Sequence, residues 1–516
     1  MTASFRSAPG RFWFWIALGA GFLAFSVVGP ARGGDAGHNT GMQEVEVYPK
    51  SPEQLTPLIG GERAERLRLA VAKARQAIDG ATVWHINATA HGGGVAEILT
   101  SLLAYGQGGG LDSRWVALDG DNDFFALTKR IHNLIHGTSG DGGSVGLTEQ
   151  RHYERVLEEN LADLRPQLRS GDVVLVHDPQ TAGLIPGLRD FGVFVGWRSH
   201  IGADTVNQHT NRGWAFLRAY VEQSDAVVFS RLQFVPDWVP PGKVTIIAPS
   251  IDPFATKNLD LDADQARAVL AQARLLSGPG TGGDLSFRRP DDARATVRRH
   301  DDLLVGGAAP PAEARLAVQV SRWDRLKDMS GVLHAFTEHL DAMPDDTHLM
   351  LVGPAVDGVA DDPEGAAVLA ECTEQWHGLP RRAQERSHLV TLPMDDLDEN
   401  AHLTNAIRHH ATVLLQKSLV EGFGLTVTEA LWRARPVIAS AIGGITDQIT
   451  DGVDGLLLPD PGDLDAFANT LAGLFYDDEE AGRLGQAGRA RVHNQFLVDR
   501  HLIQFANWLA DRAGNS

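Results

Sequence analysis

Two successive series of short apolar runs, each bounded by turn residues, constrain this chain more than any other feature. The first series contains "TVWHINA", "DVVLVHD", "FVGWRSH", "AVVFSR" and "KVTIIAPS". The second contains "RLAVQVSRWD", "THLMLVGPA", "SHLVTLPM", "ATVLLQKS" and "RPVIASA". Such runs have the form of buried parallel strands. Amphipathic segments such as "GERAERLRLAVAKARQAI" and "QRHYERVLEENLADLRPQL" fall between them. Strands alternating with helices predict an α/β protein, and the repeat of the series predicts two tandem, doubly wound, Rossmann-like domains. A chain of 516 residues is long enough for both cores.

The expected boundaries are a hydrophobic leader over residues 1–44, a first domain over 45–255, a second over 256–480, and a C-terminal helix within 481–516 that packs back on the body. The leader "RFWFWIALGAGFLAFSVVGPA" follows Arg6 and Arg11. It has the layout of a signal peptide or short membrane anchor, or else of a start codon placed too early, with Met42 as the true beginning. Between the domains, about 277–312, lies a stretch rich in Gly, Pro and charge, expected to be an inserted, solvated surface loop.

A formal net charge of −20 excludes nucleic acid as a partner, because no excess of cations exists to neutralise a phosphate backbone. Any phosphate chemistry has to rest on a few local cations. The single cysteine, Cys372, excludes internal disulfides and cysteine-rich metal sites and has the character of a buried structural residue. The pair Asp119 and Asp121 in "DGD" has metal-pair spacing but fits a turn. The histidines of "IRHHA" are expected on a helix surface. No Gly-x-Gly-x-x-Gly or Walker lysine motif supports a nicotinamide or ATP-hydrolysis reading.

Ligands of open α/β sheets bind beyond the carboxyl ends of the strands. Polar groups fall at several such ends: His177 and Asp178 after "DVVLV", Arg198 and His200 after "FVGW", and Arg322 and Lys327 after "LAVQVS". Arginine can grip a phosphate with two parallel hydrogen bonds and lysine supplies a point charge. In "KSLVEGFGLTVTEAL", Gly422, Phe423 and Gly424 permit close backbone approach, and a helix start near Leu425 and Thr426 can hold phosphate oxygens. Glu421 could accept from sugar hydroxyls. Glu429 could accept from the paired hydroxyls of a ribose. The three glycines of "HGGGVAEI", Gly92, Gly93 and Gly94, fit a flexible joint, a phosphate cradle or the floor of a sugar site.

"EGFGLTVTE" together with "SRWDRLKD" resembles the retaining glycosyltransferase family four, whose fold is the two-Rossmann GT-B arrangement. The resemblance implies that Glu421 contacts the donor sugar, Glu429 the ribose, and Arg322 and Lys327 the diphosphate. "VWHINATAHGGGVAEIL", "DNDFFALTKRIHNLIHG", "VLVHDPQTAGLI", "WRSHIGAD", "DDPEG" and "EGFGLTVTEALWRARPVIASAIGGITDQI" are similar to the trehalose synthases of the nucleotide-sugar glucosyltransferring type, with fungal trehalose phosphorylases as neighbours. The resemblance runs from about Val45 to the C-terminus. It implies a hexosyltransferase with no prosthetic group and no metal, and a nucleoside diphosphate glucose as donor, acting on small-molecule sugars. It makes Gly92, Gly93 and Gly94 a loop facing the cleft, with His177 and Asp178 positioning donor and acceptor and with Arg198 and His200 lining the acceptor side. A phosphate-dependent phosphorylase, a family four enzyme with another acceptor, and a GT-B sugar-nucleotide epimerase stay open as alternatives. A cytosolic donor implies a cytoplasmic body, with any membrane contact confined to the leader; a homodimer is one option for its assembly.

Overall fold

The computed structural model describes residues 41–90, 93–278, 282–356 and 363–513. The hydrophobic leader and Gly92 lie outside them. Two seven-stranded sheets organise the chain. In the first, β1 (Gln43–Glu44), β2 (Val83–Asn87), β3 (Ser113–Ala117), β4 (Val173–His177), β5 (Phe194–Ser199), β6 (Ala226–Phe229) and β7 (Val244–Ile246) lie in the order β1-β3-β2-β4-β5-β6-β7. All its pairs are parallel except β1 with β3, where Gln43 faces Ala117.

A small hairpin, β8 (Ser286–Arg288) and β9 (Arg294–Thr296), precedes the second sheet. That sheet contains β10 (Leu304–Gly306), β11 (Arg315–Val320), β12 (Thr347–Pro354), β13 (Ser387–Leu392), β14 (Val413–Gln416), β15 (Val437–Ser440) and β16 (Leu456–Leu458). Their order is β10-β13-β12-β11-β14-β15-β16, and only β10 runs antiparallel. The doubly wound α/β expectation therefore holds. Not singled out in the sequence were β3, with a charged Arg114 at its second position, and the three-residue β16.

Strand residues bury on alternate faces, as the period of two requires. Trp84, Val174, Val176, Val195, Trp197, Val227 and Phe229 face the helices on one side of the first sheet. Val83, Leu175 and Val228 face the other side, which the C-terminal helix Val498–Ala513 covers with Phe505, Trp508 and Leu509. Gly196 in β5 makes room for this: a Cβ there would stand 3.2 Å from the Trp508 ring. The last helix of the chain thus returns to the first sheet. Its Asp499 accepts two hydrogen bonds from Arg63 in the helix Thr56–Ile78, at 3.0 and 2.7 Å.

The stretch expected as a solvated loop is instead pinned to the second sheet's surroundings. Arg289 pairs with Asp396 and Asp398, and Arg298 with Asp395 and Glu399, while Phe287, Val297 and Leu303 are buried. The acids that hold these arginines lie about a hundred residues downstream, so nothing in the local sequence announces them. Among the described residues no helix is long and apolar enough to cross a membrane.

Candidate active site

The carboxyl ends of the two sheets meet around the loop from Glu421 to Gly424. Gly424 begins the helix Leu425–Trp432 at φ 80°, a left-handed conformation that glycine adopts without penalty, and it offers no capping side chain. As at any helix start, its first N–H groups lack partners within the helix and carry a partial positive charge. Lys327 donates to Glu421 Oε2 at 2.6 Å, and Ser418 donates to the same oxygen at 3.2 Å. Arg322 reaches Asp324 at 3.2 Å with half of its side chain exposed. Arg322, Lys327, Glu421 and the helix start, separated by about a hundred residues of sequence, are therefore brought together.

The opposite wall comes from the first sheet. A Cβ on Gly422 would stand 3.3 Å from the His200 carbonyl and 3.6 Å from the His136 ring. Gly94 opens the helix Gly93–Gly108, and a Cβ on it would stand 3.0 Å from Leu425 Cδ1. Gly93 has φ 77°. These two glycines are thus a wall against the second sheet's loop, and a joint is excluded by the strand before and the helix after.

The sequence reading missed the helix Asn122–Ile135 and the turn after it. Lys129 lies 4.0 Å from Asp324. Burial lowers the pKa of His136 to about 4, against the pull of nearby Glu421. His132 is likewise held well below the ordinary imidazole value, first by burial and then by the neighbouring His136, Lys129, Arg322 and Lys327. Both rings are neutral near pH 7. The signal was present in "DNDFFALTKRIHNLIHG" but spread over one helix face. Asp121 caps that helix through the Phe124 N–H at 2.8 Å, which accounts for the "DGD" carboxylate.

His177 sits in a chain of buried rings. Its Nε2 meets His85 Nδ1 at 3.1 Å and its Nδ1 meets His200 Nε2 at 3.1 Å. Burial lowers all three, His85 to about 3. His85 was not anticipated, because it reads as part of an apolar strand. Asp178 accepts from the His200 N–H at 2.7 Å; burial raises its pKa to about 7, against the lowering effect of that donor and of Arg198.

Arg198 is not brought to the cleft surface. It is fully buried and contacts His501 Nε2 at 3.2 Å and the Ile247 carbonyl at 3.3 Å. Alternation along β5 puts it on the Trp508 side, with Gly196. Phe423 is likewise in the core, against Phe496 at 5.9 Å between ring centres. Thr426 donates to Gln416 at 2.8 Å. The histidines of "IRHHA" are half-buried, with His409 hydrogen-bonded to Arg433 at 2.7 Å, instead of lying free on a surface.

Glu429 is 2% exposed and doubly paired: Arg408 reaches Oε2 at 2.8 Å and Lys257 forms an ion pair with Oε1. Burial works against its ionised form, but Arg408 and Lys257 outweigh it and hold its pKa below the usual carboxylate range. Lys257 also donates to Glu97.

Two facing parallel sheets with a cation pair, a carboxylate and a helix start at their junction define a glycosyltransferase of GT-B fold. Residues 85–236 match the family described as "Trehalose synthase, N-terminal domain", and residues 307–491 match "Glycosyl transferases group 1". The chain is 32% identical over 462 residues to a trehalose synthase of Thermococcus litoralis, covering 89% of this chain and 97% of that one. It is 26% identical over 432 residues to a trehalose phosphorylase of Pleurotus pulmonarius, covering 79% of this chain and 54% of that one. Among solved structures, an alpha,alpha-trehalose-phosphate synthase (UDP-forming) of Burkholderia xenovorans superposes with a TM-score of 0.60 at 15% identity, over 83% of this chain and all of that one. The chain belongs to the trehalose synthase family of glycosyltransferases.

Proposed function

We propose that the protein transfers glucose from a nucleoside diphosphate glucose to the anomeric hydroxyl of free glucose, forming α,α-trehalose with retention. The observation that carries this is the Lys327–Glu421 pair beside Arg322 at the start of the helix Leu425–Trp432. As the bond from the sugar's anomeric carbon to the diphosphate oxygen breaks, negative charge grows on the diphosphate. Arg322, Lys327 and the helix N-terminus are arranged to stabilise it. Glu421 then takes the donor sugar's hydroxyls and Glu429 the ribose diol. Gly93 and Gly94 let backbone approach the donor without a side chain between. The acceptor hydroxyl attacks from the face that the diphosphate leaves, and its proton passes to the departing phosphate oxygen. His200 faces the acceptor, His177 holds its ring, and Asp178 fixes the backbone of His200. Arg198 supports β5 from behind instead of touching sugar.

Incubation with UDP-, ADP- and GDP-glucose, with and without glucose, tests the proposal. Trehalose and nucleotide should appear together, and only with glucose present. Nucleotide release without disaccharide would sink the synthase reading. The likeness to a trehalose phosphorylase supports a second reading, in which inorganic phosphate occupies the diphosphate site. Glucose 1-phosphate formed from trehalose and phosphate, with no turnover of any nucleotide sugar, would establish that reading in place of the first.

A further inference from the structure

Lys257 joins two carboxylates that belong to opposite walls. It lies in the short helical turn Thr256–Asn258, between the last strand of the first sheet and the second sheet's elements. Its ammonium donates a hydrogen bond to Glu97, four residues into the helix that starts at Gly93. It also forms an ion pair with Glu429 Oε1, on the helix that starts at Leu425. The two attachments differ. The ammonium is equally close to both carboxylates, but Glu429 is buried and Glu97 is not. Arg408 holds the other oxygen from a position that is itself buried. Glu97 is the more exposed partner, with 43% of its side chain accessible.

A buried carboxylate oxygen must keep a donor, and a hydroxyl can take the place of an ammonium on Oε1 without leaving it bare. We propose that Lys257 is a positioning residue that holds Glu429 and gives up Oε1 to a ribose hydroxyl when nucleotide binds, remaining anchored on Glu97. This rests on the reading of Glu429 as the ribose-binding carboxylate. The displacement leaves no cation unpaired, because the second carboxylate is already bonded. It also ties nucleotide occupancy to the helix Gly93–Gly108, whose first turn forms the facing wall. Lys257 thereby sets how strongly the site prefers a nucleotide with a ribose diol over one without.

The test is calorimetric binding of UDP, ADP and GDP and of their 2′,3′-dideoxy counterparts to the full chain, expressed as a ratio of dissociation constants. Lys257→Met removes the competitor for Oε1 and should raise the preference for the ribose form by about threefold or more, of the size expected from one partly buried charge interaction. Glu97→Gln removes the alternative anchor, binds Lys257 harder to Glu429, and should lower the preference by a similar factor. Lys257→Arg should stay near the starting ratio. A merely structural Lys257 would weaken both nucleotides alike and leave the ratio unmoved. An unmoved ratio in both variants, or a shift in the same direction, overturns the inference while a preference abolished by Glu429→Gln keeps the ribose reading. Absence of any preference in the unaltered protein removes the ribose reading and the inference together.

Discussion

Asp178 is held in two unfavourable ways at once. It is buried, which raises its pKa to about 7, and its backbone is left-handed at φ 62°. Strain and burial at one residue beside a cleft point to a positioning role. Because the folded pKa is raised above the unfolded one, the stability tied to the protonated carboxyl is present below about pH 4 and is lost as pH rises toward 7. Asp178→Asn keeps the acceptor oxygen and tolerates the left-handed backbone. Its unfolding midpoint relative to the unaltered protein should therefore rise between pH 4 and pH 7.5 and level off above; a pH-independent difference would contradict the assignment. Lys327 is a different case, since its partner Glu421 is at the cleft and not under it. Lys327→Ala should reduce kcat by about a hundredfold or more, the scale for removing one transition-state donor. An unaltered rate would remove the diphosphate role. Lys327 and Glu421 were legible because each lies in a short motif at a strand end. Lys257, Arg408 and His85 were not, because their meaning comes only from partners on distant elements.

At the level of elements, the loop Glu421–Gly424 depends on a second loop that packs beneath it. Gly444 N–H donates to the Gly422 carbonyl at 2.7 Å, and Gly443 N–H to Asp204 at 2.7 Å. Gly443 has φ 49°, and any Cβ on it would run into the Glu421 carbonyl. Gly443→Ala should cost on the order of 2–4 kcal/mol and displace Glu421 with it. Gly61 is the contrast: it is exposed at the first helical position after the kink that Gly60 (φ 77°) makes in the helix Thr56–Ile78, with ordinary φ and nothing within 4 Å of where a Cβ would stand. Gly61→Ala should stabilise by about 0.5–1 kcal/mol, and thermal unfolding of both variants separates the two cases. The long buried strands could be read from the sequence because burial on both faces leaves an unbroken apolar run. The edge strands β1 and β10 and the hairpin β8–β9 could not, since two or three residues carry no period and their pairing is decided by the sheet they join.

Over the whole molecule, the helix Thr56–Ile78 and the helix Val498–Ala513 are locked to each other. Arg63 holds Asp499 with two hydrogen bonds and the His493 carbonyl with a third at 2.8 Å, while Arg198 reaches His501 on the same final helix. Arg198 was legible as a strand-end cation, but its direction was not, because the helix that buries it lies three hundred residues further on. The final helix therefore serves the site from behind: it covers the face of β5 opposite Trp197 and Ser199, and so fixes the strand that leads into His200. Asp499 has 1% of its side chain exposed, so removing it strands a largely buried guanidinium. Asp499→Ala should cost about 3 kcal/mol, the usual penalty for breaking one partner out of a buried pair. Amide hydrogen exchange should then rise along Val498–Ala513 and along β5, and stay unchanged in β11 and β12. Exchange that rises equally in both sheets would show that the helix stabilises the molecule generally and does not act through the strand behind the site.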